Sequence, residues 1–289
     1  MKVYKIGGSC LRDYSSLSGL DGIVEESGKK ILVFSAFSGV TDSLYRIWNE
    51  GNMERISGLM DLINWHLSML SSCMNDSGET FLELLSRFNG AGSYDEFMES
   101  LIMNDLERFL SLGEMMSTIS FYIYTKNKGY SVSILPANIL GLFVMKNGSE
   151  RFVDYDKSSE MIHPKVEELF YTSDCIITTG FFGYDMEGNI ATLGRNSSDY
   201  SAAAIACISG AEEIIFLKDV EGIYSGDPKK SSFFTLIKDI SYEDALRISK
   251  SGSRILHPLA IDICRKHFMP MKIMKFGELL HGTIIWDKK

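Results

Sequence analysis

The feature that most constrains this chain is a strand pattern that stops, again and again, on small residues. Val3-Tyr4-Lys5-Ile6 breaks at Gly7-Gly8, and the buried-strand run Lys30-Ile31-Leu32-Val33-Phe34-Ser35 ends in Ser35-Ala36-Phe37-Ser38-Gly39. Similar runs return at Ser131–Leu135, Cys175–Thr179 and Glu213–Leu217, with the good helix former Tyr200–Ala206 between the last two. Strand, small-residue turn, then helix is the signature of an α/β fold. The tail reads as two helices, near Tyr242–Ser249 and Pro258–Lys266, followed by short strands at Met271–Met274 and Thr283–Trp286. The expected fold is a three-layer α/β sandwich with a mostly parallel central sheet and helices on both faces. Ligands on such sheets sit at the carboxyl ends of the strands, where these turns fall.

From Thr41 to about Lys128 the character is helical instead. Leu59, Leu62, Ile63, His66, Leu67 and Leu70 recur at helical spacing, as do Phe97, Leu101, Leu106, Phe109 and Leu110. This is an early helical insertion, punctuated by Gly78, Gly90 and Gly92. His66 lies in its apolar stripe and reads as a core histidine rather than a ligand.

Composition narrows the function. An apolar fraction of 45% and a charged fraction of 23% are those of an ordinary globular protein. A formal net charge of -9 argues against a general nucleic-acid binder, though a few oriented amides and cations still suffice for an anionic ligand. The N-terminus lacks the apolar run of a signal peptide, and no stretch reaches the ~18 apolar residues of a membrane span. Cys10, Cys73, Cys175, Cys207 and Cys264 are scattered and never form C-x-x-C, so they read as reduced thiols of a cytoplasmic protein and not as a zinc site. No metal ligands are expected.

Four segments carry the chemistry. In Lys5-Ile6-Gly7-Gly8-Ser9, glycines just past a strand let backbone N–H groups approach phosphate oxygens, with Lys5 close enough to neutralise a transferring phosphoryl group; a plain tight turn has the same sequence. In Ser35-Ala36-Phe37-Ser38-Gly39-Val40-Thr41-Asp42, Ser38 and Thr41 offer hydroxyls, either to a ligand or as helix caps. In Thr192–Ser201, Arg195 has the planar fork suited to a carboxylate, and Asp199 can orient cations such as Lys5 or bind a substrate ammonium; a capped helix with a surface ion pair reads equally well. In Lys218–Lys229, acid, glycine, aromatic and base suit ribose, adenine and phosphate, while Asp227-Pro228 also makes an ordinary turn.

Taken in order, these segments resemble the amino acid kinase family, and within it the aspartate kinases, over nearly the whole chain. Lys5–Cys10 stands where the family has Lys-Phe-Gly-Gly-Thr-Ser, and Ser35–Asp42 where it has Ser-Ala-Met-Ser-Gly-Val-Thr-Asp. Gly113-Glu114-Met115-Met116-Ser117, Gly180-Phe181-Phe182-Gly183, Thr192–Ser201, Asp219–Pro228 and Gly252–Pro258 match further family segments in turn. The resemblance implies one kinase domain over residues 1–289, with 1–205 as a substrate lobe containing the insertion 41–128, and 206–289 as a nucleotide-binding lobe. It implies ATP and Mg²⁺ as cofactors and L-aspartate as substrate, at the first step of lysine, threonine and methionine biosynthesis.

Carried over by position, the resemblance implies that Lys5, Gly7, Gly8 and Ser9 meet the phosphates. Glu114 then meets the amino group of aspartate and Arg195 its α-carboxylate, with Ser38, Thr41 and Ser198 also on the substrate. Asp199 organises the catalytic cations; Lys218, Asp219, Tyr224, Asp227 and Lys229 face the nucleotide. Arg254 stands where the family uses Lys on the transferred phosphoryl; Asn196-Ser197 replaces Gly-Gly, Lys218 replaces Thr, Lys229 replaces Arg and Cys10 replaces Ser. The resemblance further implies a homodimer. No C-terminal ACT-type region is expected after Met271–Met274, so the expected protein ignores lysine and threonine, with any feedback control carried by a separate regulatory chain. His163, His257, His267 and His281 are assigned to structure. Two alternatives stand beside this reading: a same-fold kinase for another acceptor such as glutamate or homoserine, where Asp199 would act as base, and a non-catalytic nucleotide-binding subunit.

Overall fold

The apolar runs pair edge to edge because each is buried on both faces, which is what parallel strands under two helical layers require. The computed structural model describes residues 1–70, 77–101, 105–225, 235–251 and 255–287, leaving aside the side chains of 77–79 and 279–281. Its strands are β1 (Lys2–Ile6), β2 (Lys30–Phe34), β3 (Val132–Ile134), β4 (Val144–Asn147), β5 (Glu150–Val153), β6 (Cys175–Thr179), β7 (Phe182–Tyr184), β8 (Ile190–Thr192), β9 (Glu213–Lys218), β10 (Asp239–Ile240), β11 (Met271–Lys275) and β12 (Glu278–Ile285). The central sheet has eight strands in the order β10-β12-β11-β9-β1-β2-β6-β3. The six strands from β11 to β3 are parallel to one another, and β12 returns antiparallel to β11. Two small antiparallel pairs, β4–β5 and β7–β8, lie outside it.

Side-chain alternation divides the interior into two cores. Tyr4, Ile6, Leu32, Phe34, Ile177, Ile215 and Leu217 face one side. Val3, Ile31, Val33, Ile176, Ile214 and Phe216 face the other. The first side is covered by α1 (Tyr14–Ser18), α2 (Asp21–Glu25), α3 (Val40–Trp48), α4 (Asn52–Leu70), α5 (Ser77–Phe88), α6 (Tyr94–Ser100) and α7 (Leu106–Asn127). The second is covered by α8 (Ala137–Leu140), α9 (Tyr155–Leu169), α10 (Ser198–Ile208), α11 (Tyr242–Lys250) and α12 (Pro258–Lys266). The expected three-layer α/β sandwich is therefore present. Truncating a fully buried strand residue such as Phe34 to alanine would cost about 3–5 kcal/mol through lost burial and the cavity left behind.

Among the described residues the helical stretch from about Thr41 contains five helices, α3 to α7. The stripe from Phe97 to Leu110, which reads as one periodic run, is split between α6 and α7, because the Asp105 side chain caps α7 by accepting from the Arg108 N–H at 3.0 Å. α7 packs directly on β2, β3 and β6 and so forms one face of the sandwich. His66 is fully buried, its Nδ1 3.1 Å from the Ser120 hydroxyl and its ring edge-on to Phe37. Burial holds its pKa down to about 3, so it stays neutral, as a core histidine should.

Candidate active site

The carboxyl ends of β1, β2, β6 and β9 meet the N-terminus of α10 around a cavity of about 510 Å³. The turns after β1 and β2 touch there. A Cβ on Gly8 would lie 2.7 Å from the Ala36 carbonyl oxygen, so only glycine lets the two turns approach so closely. Gly7 has a different job. Its N–H donates to the Leu217 carbonyl at 3.2 Å, tying the turn to the end of β9, and it does not line the cavity. The Gly7 N–H, expected to face a phosphate, is thus engaged with the end of the sheet in this structure. Gly8 and Ser9, which open a 3₁₀ turn, do line the cavity.

Across the gap, Ser38 and Thr41 reach the cavity because neither is used as a cap. α3 starts from Gly39 at φ 82°, with no side-chain capping bond. Glu114 enters from the middle of α7, where Ser117 fastens the helix to the end of β2 by donating to the Ser35 carbonyl at 2.7 Å. Glu114 is 3% exposed, and its Oε2 has no hydrogen-bond partner among the described residues. Burial pushes its pKa up to about 8, against the opposing pull of the Ala36 N–H, the Lys5 charge and the Ser198 hydroxyl.

The centre of charge is Asp199, in the first turn of α10 and 6% exposed. Lys5 Nζ lies 2.9 Å from its Oδ1 and Lys218 Nζ lies 2.7 Å from its Oδ2. Burial alone would raise this carboxyl's pKa, but the two ammonium groups outweigh it and hold the group well below the usual carboxylate range. For Lys218 burial wins in the other direction: desolvation, aided by the nearby Lys5 charge, pushes its pKa down despite Asp199. Two cations share one buried anion, so the cluster carries a surplus positive charge facing the cavity.

Arg195 sits at the mouth. Its guanidinium pairs with Asp42 at 2.6 Å and lies over the Tyr45 ring, both partners being solvent-accessible. Beside it Asn196 takes φ 62°, a left-handed conformation that asparagine tolerates, which explains how it can stand in place of glycine. Ser197 is buried and donates to the Gly194 carbonyl at 2.6 Å. Phe181 also lines the cavity with φ 72°, its N–H held by Ser201 Oγ at 2.9 Å. Such a backbone is costly for an aromatic residue and marks a constrained loop.

Of the residues singled out in the sequence, Lys5, Gly8, Ser9, Ser38, Thr41, Glu114, Arg195, Ser198, Asp199 and Lys218 are brought together. Asp219 is exposed beyond β9 and Tyr224 donates to Glu221 at 3.1 Å, neither lining this cavity. Asp227, Lys229 and Arg254 lie outside the described residues. Sequence reasoning missed His257, Tyr45 and Phe181 as lining groups. His257 does have the structural task expected of it: its Nδ1 accepts from the Leu259 N–H at 3.2 Å and caps α12. The Lys218–Asp199 contact was also unforeseen. Counting alternation would have found it, since Lys218 is two residues beyond Phe216 and projects to the same face as α10.

The sequence profile of the amino acid kinase family matches residues 1–275. The chain belongs to the amino acid kinase family. Among curated relatives, it is 25% identical over 303 residues to the bifunctional aspartokinase/homoserine dehydrogenase 1 of Arabidopsis thaliana, covering 98% of this chain and 32% of that protein. It is 26% identical over 288 residues to the aspartokinase of Chlamydia pneumoniae, covering 98% of this chain and 62% of that one. The chain thus spans about a third of the length of the bifunctional relatives it matches. The fold of this family member superposes on Escherichia coli aspartokinase III, solved in complex with aspartate and ADP, with TM-score 0.84 at 23% identity over 100% of this chain and 65% of that one. For Clostridium acetobutylicum aspartate kinase the TM-score is 0.75 at 20% identity, over 100% and 62% of the two chains. No described helix is long and apolar enough to cross a membrane, and no metal-holding cluster of His, Cys, Asp or Glu occurs among the described residues.

Proposed function

We propose that this chain is the catalytic unit of an aspartate kinase, transferring the γ-phosphoryl group of MgATP to the β-carboxylate of L-aspartate to give 4-phospho-L-aspartate and ADP. The observation that carries this reading is the Lys5–Asp199–Lys218 cluster, which opens into the same cavity as Glu114 and Arg195. Phosphoryl transfer to a carboxylate needs no general base, because the acceptor is already ionised at neutral pH. Its obstacle is repulsion between two anions, and positive charge fixed on buried side chains offsets that repulsion. Lys5 and the turn at Gly8 and Ser9 meet the phosphates, with magnesium arriving as part of the nucleotide substrate. Glu114, with one buried oxygen unpaired, receives the amino group of the substrate. Arg195 exchanges its exposed partner Asp42 for the α-carboxylate.

The state of Asp199 weighs against an alcohol acceptor. A carboxylate stabilised by two ammonium groups is a weak base, and homoserine would need its proton removed. The relatives named as aspartokinases support the same choice of substrate. In its pathway the reaction would stand at the first step toward lysine, threonine and methionine. The test is ATP-dependent release of ADP across aspartate, glutamate, acetylglutamate and homoserine. The reading requires the highest kcat/KM for aspartate; a clear preference for another acceptor would replace it.

A further inference from the structure

Lys218 is the buried cation that simple pairing does not account for. Asp199 is already matched by Lys5, whose ammonium is 2.9 Å from Oδ1. A second ammonium on Oδ2, 2.7 Å away and with a side chain only 13% exposed, adds a desolvated charge with no second anion paired to it among the described residues. Two other carboxyls line this cavity: Asp42 is paired with Arg195 at the mouth, and Glu114 is raised to about 8 and so does not supply that anion at neutral pH. Burying a charge without its counter-charge is expensive unless a ligand brings the counter-charge with it.

Geometry directs the surplus charge. β1 and β9 are neighbouring parallel strands in which Ile6 lies level with Leu217, so Lys218 leaves its strand level with Gly7, at the start of the glycine turn. Lys5 leaves β1 two residues earlier. The two ammonium groups therefore converge on Asp199 from different heights beside the Gly8–Ser9 turn, and all five residues line one cavity.

We propose that Lys218 is a second catalytic cation, one that contacts the transferring γ-phosphoryl group and is held in position by Asp199. The inference rests on the kinase reading above. In the step, an oxygen of the acceptor carboxylate forms a bond to the γ-phosphorus while the bond from that phosphorus to the β–γ bridging oxygen breaks. The electron pair stays on the bridging oxygen, which leaves with ADP. No proton is transferred, and Lys218 remains an ammonium throughout, donating to phosphoryl oxygens whose charge is being redistributed.

The test compares Lys218→Thr and the near-isosteric Lys218→Met with the parent protein by two readings. Turnover should fall about 10²-fold in both, the loss typical of one well-placed donor to developing charge. Binding of magnesium with AMP-PNP, which carries a γ-phosphoryl, should weaken at least about tenfold, while binding of ADP changes by less than about threefold. Lys218→Arg, keeping the charge, should recover part of the turnover. Parallel loss of both nucleotides, near-parental turnover, or failure of both uncharged variants to fold would each overturn the proposal by making Lys218 structural or idle. The nucleotide comparison needs no acceptor. A parent that phosphorylates none of the acids, yet loses AMP-PNP selectively on substitution, would sink the aspartate reading and leave the contact of Lys218 with the γ-phosphoryl standing.

Discussion

Lys5 Nζ and Asp199 Oδ1 are 2.9 Å apart although 194 residues separate them in the chain, and both side chains are more than nine-tenths buried. One comes from the end of a strand and the other from the first turn of a helix packed against that strand. Removing one partner of a buried pair normally leaves an uncompensated charge and destabilises a protein. Here Lys218 remains on Asp199, so Lys5→Ala should fold. Its turnover should drop by at least about 10²-fold, because a charge partner of the transition state is lost. Circular dichroism with steady-state rates checks both halves; a folded variant with near-parental turnover would remove Lys5 from phosphoryl transfer.

Arg195 should behave in the opposite way. Its pair with Asp42 is exposed at both ends, so Arg195→Ala should shift stability by no more than about 0.5 kcal/mol. A charged hydrogen-bonded contact to substrate is worth about 1.5–3 kcal/mol, so KM for aspartate should rise roughly 10- to 100-fold with KM for ATP little changed. Titrating each substrate against saturating levels of the other separates the two. Equal damage to both would place Arg195 elsewhere in the reaction.

Much of this architecture is legible before any coordinates. Cys175–Thr179 and Pro258–Lys266 form the very strand and helix their residues suggest, because five continuous buried residues or a proline at the first helical turn leave few alternatives. α9 goes unread for a physical reason: only Ser158, Ile162 and Val166 are buried along 15 residues, and Pro164 interrupts it, so its apolar stripe is too thin to stand out. β12 is longer than its four-residue signal, extending from Glu278 to Ile285 through antiparallel pairing with β11. At the site, residue types point correctly to charge and phosphate, but partner choice depends on which side of a sheet a side chain leaves from. That is why Lys5–Asp199 was foreseen and Lys218–Asp199 was not.

Glu114 gives the protein a distinctive pH response. Its carboxyl titrates at about 8 in the fold, against roughly 4.3 in an unfolded chain. Between those values the folded state holds the extra proton, so this group's contribution lowers stability as pH rises through that window. Glu114→Gln should flatten the dependence and be relatively more stable at pH 8 than at pH 5. Urea midpoints at both pH values measure it. An unchanged pH slope in the variant would show that the buried carboxyl is not the source.

The contact between the first two turns predicts a steric result. Gly8→Ala places a methyl group 2.7 Å from the Ala36 carbonyl oxygen, and backbone on both sides must move. Destabilisation of about 1–3 kcal/mol is expected, with a loss of turnover, since the displaced turn also lines the cavity. Thermal melts and rates together decide the point. Parental values for both would mean that the two turns are not in contact.

The central claim is that positive charge in this cavity drives phosphoryl transfer to a carboxylate. Its most direct measurement is hydroxylamine trapping of the product with ADP release followed in the same reaction. With aspartate and MgATP, the account predicts hydroxamate and ADP formed in equal amounts, with both abolished together in Lys5→Ala. Homoserine under the same conditions should give neither. ADP release from aspartate with no hydroxamate, or faster ADP release with homoserine, would contradict the account, because the phosphoryl group would then have reached something other than a carboxylate.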